Sequence, residues 1–204
     1  MIDQTAYDNI CHEHVTFLTL KNMQMLCATH GLRVISVERR AINGGSLRLY
    51  IQHQEKEVRG SVALWVQAEA GLYDRLQHFA HRVNERRQQL QDLLGAWARK
   101  DYRCDVYACS TKFNTLSQYC GLDHSIIRCG VERTPEKFGL KTVTGVPMIS
   151  EDAWRTDPAP VTLLGAWQWR DQVVLRENAY LAQGGTLLMP LPHVEAIATE
   201  IAHA

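Results

Sequence analysis

Residues Cys11-His12-Glu13-His14 place a thiol, two imidazoles and a carboxylate in consecutive positions, directly after Tyr7-Asp8-Asn9-Ile10. Such groups move protons near neutral pH, because imidazole titrates there and a neighbouring carboxylate can orient it. Further on, Asn43-Gly44-Gly45-Ser46 runs into Leu47-Arg48. Paired glycines permit a tight turn at positive φ, either as a plain hairpin or as a point where a ligand approaches the backbone. On a strand Arg48 would share a face with Ser46, and its guanidinium could fork onto a carboxylate or phosphate. A third group, Ser110-Thr111-Lys112-Phe113-Asn114, lies where a strand-like run gives way to a helix-like one. Hydroxyls, an ammonium and exposed amides there suit a phosphate, although Ser and Thr also serve simply as helix N-caps. Trp167 and Trp169 sit in an apolar flank and are expected in the core rather than as a stacking platform.

A metal-binding role for His12-Glu13-His14 is disfavoured by spacing. Zinc-binding helices carry histidines four residues apart on one face, whereas alternate histidines point apart on a helix and share a side only on a strand or bend. The plainer alternative is a polar bend leading into the helix that follows.

The elements that must position these groups follow from periodicity. Phe17 to Leu26 is consistent with a helix ended near Gly31, and Leu32 to Val37 and Leu47 to Ile51 read as two strands that pair. From about 60 to 99 the apolar residues Leu72, Leu76, Phe79, Val83, Leu90, Leu93 and Trp97 form a helical stripe, interrupted by Arg86, in an arm broken at Gly71. That stripe serves core packing or a dimer seam, so a homo-oligomer stays open. After Lys100 strand and helix alternate: strands at 105–109, 125–129, 161–164 and 186–189, helices at 115–119 and 169–182. The alternation predicts a small open α/β sheet, with Pro158 and Pro160 in a loop inside it.

Composition excludes several classes. With 204 residues, 46% of them hydrophobic, the chain can bury a real core. Its 22 basic and 22 acidic residues cancel, so no net field gathers nucleic acid or an anionic membrane. The six cysteines contain no Cys-x-x-Cys pair, which argues for reduced thiols and a cytoplasmic protein rather than a zinc ribbon or disulfide framework. No signal sequence opens the chain, and no apolar run approaches the roughly 18 residues of a membrane span. No Gly-x-Gly-x-x-Gly loop is present to hold a nucleotide cofactor.

The motifs taken together, Tyr7 to His14, Gly31-Leu32-Arg33-Val34, Asn43 to Arg48, Ser110 to Lys112 with Asn114-Thr115-Leu116, Tyr119-Cys120-Gly121, Val131 to Lys137, and Gly184-Gly185 to Pro190-Leu191-Pro192, resemble the sugar C-methyltransferase family in order and over essentially the whole chain. Those enzymes use S-adenosylmethionine to methylate carbon on nucleotide-linked keto-deoxysugars. The resemblance covers their C-terminal portion; the zinc-binding segment and the S-adenosylmethionine domain of the family lie upstream of the His-Glu-His motif and are not in this sequence. It therefore implies an acceptor-binding, base-bearing half whose cofactor domain would be a separate domain or subunit. By position His14 corresponds to the family's candidate general base, with His12, Glu13 and Cys11 beside it; Cys11 replaces a tyrosine of some relatives. The resemblance likewise places Asn43, Gly44, Gly45, Ser46 and Arg48 against the sugar and Ser110, Lys112 and Asn114 near the diphosphate, with Trp167 and Arg170 in the same pocket. The sequence departs from the family at Ala108-Cys109, where Gly-Ala is usual, at Phe113, where glycine is usual, and at Ala166-Trp167-Gln168-Trp169-Arg170, where Pro-Trp-(His or Asn)-Phe-(Arg or Lys) is usual. The expected organisation is a methyltransferase-core tail at 1–58, a helical arm at 59–102 and a Rossmann-like unit at 103–204. The alternative is an interaction module, a non-catalytic remnant that binds a nucleotide or packs on a partner methyltransferase subunit through the 72 to 97 stripe, distinguished by Phe113 together with the missing cofactor domain.

Overall fold

The structure, a computed structural model, describes residues 1–41, 45–53 and 59–198. Helix α1 (Leu20–Thr29) opens at Thr19, whose hydroxyl accepts the Asn22 amide at 3.1 Å, while Glu69 accepts the amides of Leu20 and Lys21. These carboxylate contacts satisfy donors that no helix can satisfy internally. The helix ends before Gly31, which turns the chain at φ 67° into β1 (Leu32–Arg40). β1 pairs antiparallel with β2 (Ser46–His53), with an irregularity between Val34 and Ser36. Asn43 and Gly44, between β1 and β2 in sequence, lie outside the described residues. Together with α2 (Gly60–Ala68), α1 and the ribbon enclose a small core of Leu20, Cys27, Val34, Val37 and Val62.

Gly71 at φ 67° separates α2 from α3 (Leu72–Ala98), a left-handed conformation that glycine adopts without a Cβ penalty. The α3 stripe is core packing within the chain: Phe79, Val83, Leu90 and Leu94 are buried with the residues of the C-terminal sheet. Its centre passes through Leu94, while Leu93 and Trp97 are only partly buried. Arg86 interrupts the stripe because it works elsewhere, donating to the Pro192 carbonyl at 3.0 Å and facing His193 Nδ1 at 2.9 Å.

The rest forms a six-stranded sheet from β3 (Cys104–Tyr107), β4 (Ile127–Glu132), β5 (Met148–Ser150), β6 (Val161–Leu164), β7 (Thr186–Met189) and β8 (Glu195–Ile197). The strand order is β5-β4-β3-β6-β7-β8, all neighbours parallel except β7 and β8. With α4 (Thr111–Cys120), α5 (Glu151–Thr156), α6 (Arg170–Arg176) and α7 (Asn178–Ala182) it is a Rossmann-like α/β unit. Phe113, Trp154, Leu163 and Leu187 are among its fully buried side chains.

Local chemistry explains where this departs from periodicity. The strand expected to reach Cys109 stops at Tyr107 because Ala108 turns to φ 70°. The strand expected at 125–129 begins at Ile127, since Asp123 captures the Ser125 amide and hydroxyl in a turn. The helix expected over 169–182 is two helices parted at Glu177, a buried carboxylate that Tyr107 and Arg155 both reach. β5, α5 and β8 have no counterpart in the sequence pattern. At the amino end of the sheet Asp105, wholly buried, accepts both arms of Arg128 (2.9 and 2.7 Å), Trp154 Nε1 (2.9 Å), the Ala159 amide (2.9 Å) and the Cys129 thiol (3.3 Å). All six cysteines are free thiols, and no helix among the described residues is long and apolar enough to cross a membrane.

Candidate functional site

Strand order reverses between β3 and β6, the place where open α/β sheets gather ligands beyond the carboxyl ends of their strands. Two loops meet there. The loop after β3 carries Ala108 in the left-handed region, at a cost of about 1 kcal/mol for a residue with a Cβ. Its backbone is held from the side: Glu132 Oε1 accepts the Cys109 amide at 2.8 Å, and Lys137 Nζ bonds both Glu132 (2.9 Å) and the Cys109 carbonyl (3.2 Å). The loop after β6 begins at Gly165, where a Cβ would strike the Ala108 carbonyl oxygen and crowd Phe113 Cβ at 3.1 Å.

Into this junction the chain inserts its own N-terminal 3-10 turn, Tyr7–Asn9. The Tyr7 hydroxyl lies 3.1 Å from Cys120 Sγ, and its ring packs against Tyr119 with centroids 5.3 Å apart. Asp8 is 1% exposed; its Oδ2 accepts Trp167 Nε1 at 2.8 Å and lies 3.9 Å from Lys112 Nζ. The other oxygen, Oδ1, is buried without a partner in hydrogen-bonding geometry. Burial pushes the Asp8 carboxyl above the usual carboxylate range, although Lys112, Trp167 and the nearby amides favour its charged form. Two more buried acceptors without partners, Asn114 Oδ1 and Gln168 Oε1, belong to the same α4 and post-β6 segments.

From Asn9 the chain leaves the junction, turns at residues 11–14, and runs to a second concavity. This cleft, about 510 Å³, is lined by Phe17, Leu18 and Thr19, by Gly45, Ser46 and Arg39 from the ribbon, and by Trp65 from α2, among others. His14 sits on the exposed bridge between the two places, its Nδ1 2.7 Å from the Asn9 carbonyl oxygen and its ring edge-on to Phe17. His12 and Glu13 face each other across 3.9 Å and are largely exposed; Cys11 is half-buried. Met1 lines this cleft together with Arg39, and burial chiefly pushes its amino group below the ordinary value, with smaller effects from the charges of Asp3, Arg39, Lys112 and Asp8.

The remaining expected residues fall as follows. Ser110 caps α4, accepting the Phe113 amide at 3.5 Å, so the capping alternative describes its present contact. Phe113 is fully buried in the core, in the first turn of α4. The tryptophans divide: Trp167 is buried on Asp8, whereas Trp169 is half-exposed, contrary to a shared core position. One residue further, Arg170 is exposed and paired with Asp171. Arg48 is exposed on β2, opposite Glu38. The residues that sequence reasoning missed are Asp8, Glu132 and Lys137; all three lay inside quoted motifs, but only their distant partners make them special. Among the described residues no three His, Cys, Asp or Glu side chains gather to hold a metal ion.

The residues present do not fit S-adenosylmethionine. At the switch point, where a Rossmann-like unit would cradle a nucleoside, the Asp8 carboxylate accepts the Trp167 indole, and the turn after β3 is Ala108-Cys109-Ser110 without a glycine pair.

A Rossmann-like unit joined to a helical arm and a β-ribbon, with a polar junction at its switch point, defines the class: residues 41–192 match the family described as C-methyltransferase C-terminal domain, and the chain belongs to it. Over 208 residues it is 28% identical to the C-methyltransferase NovU of Streptomyces niveus, covering 98% of this chain and 49% of that protein. The chain thus spans about half the length of this curated relative.

Proposed function

We propose that this chain is the acceptor-binding and base-bearing half of an S-adenosylmethionine-dependent C-methyltransferase acting on a nucleotide-linked keto-deoxysugar or a similar ligand. The observation that carries the proposal is the path of residues 7–19, which strings His14 between a polar switch-point junction and a cleft lined by Gly45 and Ser46. The sugar would occupy the cleft side and the diphosphate the α4 side, near Lys112.

The chemistry this chain's own groups can supply is enolisation. The carbon beside a ketone is too weakly acidic to attack a methyl sulfonium until a base removes its proton. His14 takes that proton, the C–H electron pair becomes the C=C bond, and the carbonyl oxygen becomes an enolate. Because Nδ1 faces a carbonyl, which can only accept, Nδ1 carries hydrogen in the neutral ring and Nε2 is the free base. His12 and Glu13 would orient the ring or the sugar. The methyl donor belongs to a separate S-adenosylmethionine-binding domain or subunit, and a cytoplasmic location suits six free thiols. The expected partition of the chain, 1–58, 59–102 and 103–204, is part of the same proposal.

Enolisation needs no methyl donor, so it can be tested on this chain directly. In D2O a thymidine-diphosphate keto-sugar should bind and gain deuterium beside the ketone, and His14→Ala should lower that exchange by about a hundredfold or more. Because His14 is exposed, its loss should change stability by less than about 0.5 kcal/mol. Exchange unaltered in His14→Ala would remove His14 from the mechanism, and absence of sugar-nucleotide binding would favour the interaction-module alternative.

A further inference from the structure

Asp8 is a buried carboxylate with one oxygen outside hydrogen-bonding geometry. One oxygen holds the Trp167 indole, 159 residues away in sequence, and approaches Lys112, while the other has no hydrogen-bond partner. A purely structural carboxylate would be better served by the full set of donors seen at Asp105. What Asp8 does instead is fasten a short turn to two elements of the C-terminal unit at once, α4 through Lys112 and the post-β6 loop through Trp167. Tyr7 adds a second fastening to α4 through Cys120.

The residue after Asp8 carries the consequence. Asn9 closes the turn, with its amide and side chain both bonded to the Ala6 carbonyl at 3.3 and 3.1 Å, and its own carbonyl receives His14 Nδ1. Free neutral imidazole in a peptide prefers hydrogen on Nε2, the opposite of what this contact demands. Holding the carbonyl in place therefore selects the less favoured tautomer and leaves Nε2 open. Hydrogen-bond partners behind a working histidine act in this way, fixing ring orientation and raising basicity.

We infer that Asp8 is a positioning residue: its carboxylate, held by Trp167 and Lys112, pins the turn whose Asn9 carbonyl keeps His14 in the Nδ1–H tautomer. The inference rests on the role proposed above for His14, but its test reads the ring itself. Long-range proton–nitrogen correlation spectra of the uniformly labelled chain, above the histidine titration range, report which ring nitrogen carries hydrogen; the His14 signal is the one lost in His14→Gln. Wild type should show Nδ1–H. Asp8→Ala should shift His14 toward Nε2–H, Trp167→Phe should shift it the same way while keeping an aromatic ring, and Asp8→Asn should restore Nδ1–H because its oxygen still accepts the indole. Deuterium exchange into the keto-sugar should fall about tenfold in Asp8→Ala and recover in Asp8→Asn.

Nε2–H in wild type overturns the inference, as does retained Nδ1–H in a folded Asp8→Ala. Should Asp8→Ala not fold, Trp167→Phe decides by the same criterion. The two claims fail separately. Exchange indifferent to His14, with a tautomer that follows Asp8, removes the base but keeps the positioning; exchange that needs His14, with a tautomer indifferent to Asp8, does the reverse.

Discussion

Asp105 and Asp8 are both buried carboxylates bonded to a tryptophan indole, at opposite ends of one sheet, and they have been treated very differently. Asp105, at the amino end, has every lone-pair direction answered by Arg128, Trp154, Ala159 and Cys129. Asp8, at the carboxyl end, has one oxygen answered and one not. The first arrangement ties β3 to β4, α5 and the loop before β6, and would hold the unit together whatever it bound. The second sits where strand order reverses and where three remote segments meet. Local rules are broken in native proteins mainly where function requires it, and the proposed site at the carboxyl end is where such a break is expected.

The largest expected effect tests the structural half of that contrast. Asp105→Ala leaves the Arg128 guanidinium and the Trp154 indole without their shared partner, and should cost about 3–5 kcal/mol in urea unfolding. A loss below about 1 kcal/mol would mean that Arg128 is adequately held by Asp157 alone. Gly165→Ala comes next. Its Cβ meets the Ala108 carbonyl, a backbone atom that cannot swing aside, so a destabilisation of about 1–3 kcal/mol should accompany disturbed signals at Trp167.

Ala108→Gly should act in the opposite direction. At φ 70° the present Cβ is strained, so glycine should stabilise the chain by up to about 1 kcal/mol in the same unfolding assay; a net loss would mean that unfolded-state entropy outweighs the relieved strain. The smallest effect is the pH dependence of Asp8. Its folded carboxyl titrates above the unfolded value near 3.8, so below both values the group is neutral in each state and costs nothing. As pH rises through the window between them the unfolded chain ionises first, and wild type loses stability. Asp8→Asn has no such loss, so thermal melts should show the variant gaining on wild type from about pH 4 upward and then levelling; parallel curves would contradict a raised carboxyl.

Much of the fold was legible because it is locally encoded. The glycines at 31 and 71 stop or part helices through positive φ, and β6 and β7 coincide with the apolar runs at 161–164 and 186–189. The misses share a cause. β5 and α5 are too short for a period to show, and α6 parts from α7 at Glu177 for the sake of Tyr107, seventy residues earlier in the chain. The site was legible as motifs but not as an arrangement. His14 was visible from its neighbours, whereas Asp8 inside the same motif drew no reading of its own, and the tryptophan pair gave no sign that one would be buried and the other not.

What the sequence by itself determined is what depends on neighbours within a few residues: helix caps and stops, strand runs, the chemistry available in Cys11-His12-Glu13-His14, and membership of a family through ordered motifs. What only the tertiary structure decided is which of those groups meet. Asp8 meets Trp167 and Lys112, and His14 meets the Asn9 carbonyl, only in the folded chain. Desolvation and hydrogen-bond satisfaction are properties of a packed place, set by whichever atoms fill the space around a side chain, and no local run of residues specifies them.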